Sequence, residues 1–278
     1  MKKSLVAMIL PLALVLTAFT ARPAGWVFQM TTTVLATGAS SVGEMIVVGD
    51  RIKMSGMGAE AGAEGDMNFL GDVGEIGELV YNDDENRKFF RMNKQTVEEL
   101  SSQLGDVQRQ MDEAMAGIPE AQRRAIMERA GRGGMPGMPG MAVPVVEVRR
   151  TDETATKQGY PCVKYELVVD GRVTQIMWMT EWSNVEGASA AGGTFEKFFG
   201  FMTYLREAMP SGPMFGGADA MQGMDFRERF AVVTVMLDRN GEPTQETVLT
   251  DVSRREVDLS EIGPKEGYTE ERFGPPGR

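Results

Sequence analysis

Three glycine-containing pairs, Gly49-Asp50, Asp170-Gly171 and Asn240-Gly241, each sit between two short runs of β-prone residues. Such pairs accept the positive dihedrals of tight hairpin turns, so at three places the chain is committed to antiparallel strand pairing. The flanking runs are 44–48 with 51–57, 162–169 with 172–182, and 226–237 with 242–257. A fourth hairpin is predicted where the polar cluster Asn82-Asp83-Asp84-Glu85-Asn86 separates the runs 78–81 and 87–92. Trp26, Phe28, Met30, Thr32 and Val34 alternate with more polar neighbours, the two-residue period of a half-buried strand. A further strand is predicted at 145–156. The Gly-rich, acidic stretch 58–77 reads as a loop excursion with one short strand near 67–70.

Two segments change period. Val97, Leu100, Leu104, Val107, Met111, Met115 and Ile118 recur every three or four residues, which predicts a helix over 94–117, with Thr96 and Glu99 as a capping box. Pro119 interrupts it, and 120–129 suits another short helix. Phe195, Phe198, Phe199, Met202 and Leu205 predict a second helix over 194–209, with Pro210 as its stop. Two Met-, Gly- and Pro-rich stretches, 131–143 and 211–223, suit neither regular structure and read as flexible loops; 274–278 reads as a disordered tail. The expected class is α+β: a curved antiparallel sheet of about ten hairpin-connected strands, with helices lying in its concave face. The run 231–237 is apolar on both faces, which calls for cover on each side.

Lys2 and Lys3 precede an apolar run over 5–19, and small residues Ala18, Ala21 and Ala24 follow. That order is the n-region, h-region and cleavage zone of a secretory signal, and the run is shorter than the roughly 20 residues of a spanning helix. Residues 1–24 are therefore expected to be a signal peptide and 25–273 a single exported domain, periplasmic or alternatively extracellular, without a membrane anchor after cleavage. A net charge of −11 repels phosphate backbones and argues against nucleic acid as a partner. The single Cys162 rules out an intramolecular disulfide and, placed in a strand, reads as a buried small apolar residue. With no histidine in the chain, Ser-His-Asp and Cys-His catalysis and the commonest zinc ligand sets are excluded.

Leu79-Val80-Tyr81-Asn82-Asp83 before Phe89-Phe90, Gly159-Tyr160-Pro161-Cys162-Val163-Lys164-Tyr165, Met177-Trp178-Met179-Thr180 and Gly267-Tyr268 follow the leader and the Trp26 strand in order. In these short motifs, which span most of the mature chain, the sequence resembles a bacterial family of unknown function, DUF 4412. That family is similar to the periplasmic lipoprotein carriers LolA and LppX. The resemblance implies an open half-barrel with helices in its concave face and an apolar ligand cavity, and it brings no catalytic residue and no cofactor. The 58–77 insertion and the Met-rich loops depart from the family pattern, and nothing is carried over there.

The candidate ligand-binding residues are the apolar side chains expected to face that cavity: Trp26, Phe28, Met30, Met111, Met115, Met177, Trp178, Phe198, Phe199 and Met202. Unbranched, polarizable Met adapts to irregular apolar ligands, although apolar stripes at these periods are ordinarily packed core. The expected ligand is a lipid or an acylated protein, held without covalent chemistry. In an alternative reading, a cell-envelope interaction protein would present the long amphipathic helix to a partner. A minor alternative is Cu(I) binding by thioethers in the Met loops, Met135, Met138 and Met141 being spaced by three. The acidic clusters at Asp83, Asp84 and Glu85, and at Asp66, Asp72, Glu75 and Glu78, lack calcium-loop spacing and read as solvated turns. No carboxylate pair is nominated for glycoside hydrolysis.

Overall fold

The structure is a computed structural model that describes residues 22–56, 65–116, 118, 122, 145–208 and 228–272, apart from a few side chains within the helices. Twelve strands form one open sheet: β1 (Ala24–Val34), β2 (Ala39–Val48), β3 (Arg51–Ser55), β4 (Gly65–Leu70), β5 (Glu78–Asp83), β6 (Lys88–Met92), β7 (Val146–Lys157), β8 (Tyr160–Val169), β9 (Arg172–Glu181), β10 (Arg229–Leu237), β11 (Pro243–Glu256) and β12 (Thr269–Glu271). Their order across the sheet is β12-β6-β5-β4-β3-β2-β1-β11-β10-β9-β8-β7. Two meanders, β1 to β6 and β7 to β11, are thus joined along β1 and β11, which pair antiparallel from Ala24↔Glu256 to Val34↔Gln245. The hairpin turns lie where the glycine pairs put them, with Asp170 and Gly171 at φ 49° and 78°.

The α+β expectation is corrected. The described structure is predominantly β, with one large mixed sheet that does not close and two α-helices, α1 (Lys94–Ala116) and α2 (Ala188–Ala208). The short strand expected near 67–70 in the Gly-rich excursion is present as β4, which begins two residues earlier at Gly65, and a strand that was not expected, the C-terminal β12, pairs parallel with β6, making the sheet mixed. Helices covering a concave face is likewise the wrong description. Helix α1 meets the apolar core through Val97 and Leu100 in its first two turns, and Ser102, Gln103, Asp106, Arg109, Gln110 and Glu113 beyond them are exposed. Its cap is also not the one expected: Asn93 Oδ1 accepts from Thr96 N and Thr96 Oγ1, so Asn93 is the N-cap and Thr96 lies inside the helix.

Helix α2 does pack on the sheet, and its sequence explains how. Phe195, Phe198, Phe201 and Leu205 recur at helical spacing and are all buried. Phe69 on β4 receives Phe198 edge-on at 5.4 Å and Phe201 at 5.7 Å between ring centroids. The first turns of the helix are latched on the same face to the β2–β3 turn, where Thr194 Oγ1 donates to the Gly49 carbonyl at 2.6 Å and Lys197 pairs with Asp50. The helix starts at Ala188, earlier than the aromatic spacing predicts, after the 3-10 turn Trp182–Asn184 and Gly187. Gly187 has φ 74°, and a Cβ there would collide with the indole of Trp26. Gly187→Ala is expected to lower unfolding free energy by about 2–3 kcal/mol, combining left-handed backbone and overpacking costs. A urea titration followed by tryptophan emission checks this, since Trp26 must move.

Period-two alternation places a second apolar layer on the opposite face. Val27, Ile46, Val48, Leu70, Val80 and Phe89 are buried there with Val257 and Ile262 of the C-terminal segment. Two bulges complicate the pattern. β1 skips Thr250 of β11, so Leu249 and Val252 both reach the main cluster; β9 skips Val232 of β10, so Val232 and Val233 both do. The apolar run in β10 is therefore explained in part by a bulge. The predicted helix at 120–129 apart from residue 122, both Met-rich loops, the leader over 1–21 and the tail 274–278 lie outside the described residues.

Candidate functional site

An apolar cleft of about 430 Å³ opens between the middle of the sheet and the first half of α2. Met30 of β1, Gly43 and Met45 of β2, Met54 of β3, Phe230 and Val232 of β10 and Leu249 of β11 line it from the sheet. Phe195 and Phe199 of α2, with Trp182 beside them, close the top. Trp182 packs against Phe195 at 4.9 Å and Phe230 at 5.0 Å, and Phe28 meets Phe230 at 5.5 Å, making an aromatic end wall. Toward the hairpin end, the lining turns polar with Thr32, Gln175, Thr234 and Thr247; Thr32 and Thr247 are bonded to each other at 2.9 Å. A volume of this size lies within the range of small-molecule pockets.

Of the ten residues predicted to face a ligand, Met30 and Phe199 line this cleft. Phe28, Trp178 and Phe198 are buried in the same cluster, and Trp26 and Met202 are partly buried against it. Met177 packs instead with Tyr165 and Met179 in a separate cluster. The side chains of Met111 and Met115 lie outside the described residues. Sequence reasoning missed Met45, Met54, Trp182, Phe195, Phe230, Leu249 and Arg229. Continuing the alternation along β2 and β3 from Met30 would have found the first two, whereas the bulges hide the registration of β10 and β11.

A second cleft, of about 580 Å³ and more polar than the first, is lined by Thr154, Thr156, Glu181, Asn184 and Arg229 together with apolar Ala155, Pro161 and Val163. Arg229 lines both clefts, and among the described residues is the one charged residue of the apolar one. Cys162 is 2% exposed; burial pushes its thiol up, away from the reactive thiolate, as its place in a strand led us to expect.

The reading of the acidic residues as solvated turns is corrected for two of them. Asp66 and Glu78 are 3% and 2% exposed. Asp66 Oδ1 accepts from Asn68 and Asn82, its Oδ2 lies 2.8 Å from Lys265 Nζ, and Glu78 pairs with Arg91 at 2.9 Å. These contacts close around the C-terminal segment, whose Gly263 carbonyl accepts from Asn82. They fix structure, and among the described residues no group of three His, Cys, Asp or Glu could hold a metal ion.

No model of a known protein family matches the chain, and no curated protein matches it. Among solved structures, an uncharacterized conserved protein from Thermus thermophilus is similar at a TM-score of 0.41 and 6% identity, over 89% of this chain and 90% of that one. A structure of PNGF-II is similar at 0.40 and 12% identity, over 90% of this chain and 31% of that one. Likeness of this degree carries no argument about fold or function.

Proposed function

We propose that this protein is a non-enzymatic binding or carrier protein for an apolar ligand, a lipid or an acylated protein, exported to the periplasm by its leader. The observation that carries the reading is the solvent-accessible apolar cleft between the sheet and α2. A packed core would fill that space with side chains, since protein interiors leave few voids larger than a water molecule. Its lining of Met30, Met45 and Met54 beside rigid aromatic rings supplies an adaptable wall opposite a fixed one. Burial of apolar ligand surface would drive binding, at about 25 cal/mol per Å². No described helix is long and apolar enough to cross a membrane.

Native mass spectrometry of protein purified from its own host, followed by organic extraction, tests the proposal. The expected result is a lipid or acyl chain bound one to one. Protein that purifies empty and takes up no fatty acid would contradict it.

A further inference from the structure

Arg229 is the feature of the cleft that apolar binding leaves unexplained. Its side chain is 13% exposed, and its one hydrogen-bond partner among the described residues is Glu181 Oε1, at a long 3.4 Å. Glu181 is itself 59% exposed and solvated. A guanidinium carries five N–H donors in a fork suited to carboxylate or phosphate, and burying it with so little pairing is costly unless something else binds there.

The position of Arg229 is equally specific. It opens β10 opposite Glu181, while Met236 near the other end of that strand lies opposite Gln175. Both Arg229 and Gln175 line the apolar cleft, so the cleft runs along the strands for six residues, on the order of 20 Å. At the Arg229 end it meets the polar cleft with Thr154, Thr156 and Asn184. Among the described residues, an extended apolar channel thus ends at one largely covered cation, beyond which the walls carry more polar groups. In a chain of net charge −11, this cation is not part of a general basic surface.

We infer that the ligand is a single-chain anionic amphiphile whose acyl tail lies along the apolar cleft and whose carboxylate or phosphate is held by Arg229, the rest of the head occupying the polar cleft. This rests on the carrier reading above and adds the charge and orientation of the ligand. Binding exchanges the weak Glu181 contact for a bidentate, charge-assisted pair.

Titration of the full chain with myristate, myristyl alcohol and myristoyl lysophosphatidic acid tests it. The wild type is expected to bind myristate about 10- to 100-fold more tightly than the alcohol, the range for a hydrogen bond to a charged group. Arg229→Met removes that preference while alcohol binding persists, which also shows that the variant folds; Arg229→Lys keeps most of it. If the lysophosphatidic acid binds more tightly than myristate, the natural source is a phosphate-headed lipid; the reverse order points to a free fatty acid. Equal binding of acid and alcohol by the wild type, or a preference that survives Arg229→Met, overturns the assignment of Arg229 and leaves the cleft reading standing. Failure of all three ligands to bind the wild type overturns both.

Discussion

Phe69→Ala is expected to lower the free energy of unfolding by about 3–5 kcal/mol, the range for deleting a fully buried aromatic side chain. Phe69 is completely buried and touches both Phe198 and Phe201. It is the main aromatic anchor between α2 and the half of the sheet built from β2 to β4. Removing the ring forfeits its transfer energy, leaves a cavity under the helix, and loses two aromatic contacts worth about 0.5–1.5 kcal/mol each. The neighbouring Gly71 and Gly77 already approach the ring closely, so the backbone there leaves little slack for collapse. Urea denaturation followed by far-UV circular dichroism gives the number. A loss below about 1 kcal/mol would mean that α2 is not seated on β4 as described.

The second large effect concerns charge. Lys265→Met is expected to cost about 3 kcal/mol, because breaking a buried pair from one side strands the other charge. Asp66 is then left, at 3% exposure, with two asparagine amides and a more distant Lys53 at 3.6 Å. Asp84 loses the same ammonium, keeping its bond from the Tyr268 hydroxyl at 2.8 Å. The double variant with Asp66→Leu should recover part of the loss, since an apolar replacement removes the stranded charge along with its partner.

The same cluster predicts a pH profile. Burial raises the Asp84 carboxyl, but hydrogen bonds from Lys265 and Tyr268 outweigh it and hold the group below the usual aspartate range. A depressed carboxylate contributes stability above its unfolded value of about 3.9, and that contribution is lost as pH falls through the lower folded value. For Lys265, burial lowers the pKa, while bonds to Asp66 and Asp84 raise it further, to a net value above the ordinary lysine. That contribution is complete below about 10.4 and is lost as pH rises through the folded value. Stability should therefore fall at both extremes in the wild type, and Lys265→Met should show a shallower alkaline limb, since Lys94 and Lys164 are also raised by their carboxylate partners.

The hairpins at Asp170-Gly171 and Gly49-Asp50 were legible because two adjacent residues suffice to specify a turn. The aromatic stripe of α2 was legible because its period is local. The partnership of β1 with β11 was not, since nothing in either strand names a partner more than two hundred residues away. Nor was β12, three residues long and recognisable only by the edge of β6 that it meets. Expecting helices to cover the sheet assumed that the stripe beginning at Val97 docks along its length, whereas the described structure shows its start against the core and polar neighbours in solvent. The cleft itself was half legible. Met30 follows from strand alternation, but Phe230 and Leu249 reach the site beside bulges that break the two-residue count. Arg229 carried no signal at all, because an arginine at the start of a strand is ordinarily exposed.

The account turns on the cleft being a ligand site, and filling it is the most direct test. Thr234 lines the cleft from β10, and phenylalanine is well tolerated in strands. We predict that the wild type takes up one equivalent of a fluorescent long-chain fatty acid with saturation, and that Thr234→Phe, folded by circular dichroism, takes up none. Equal uptake by both proteins would place the ligand elsewhere and contradict the account.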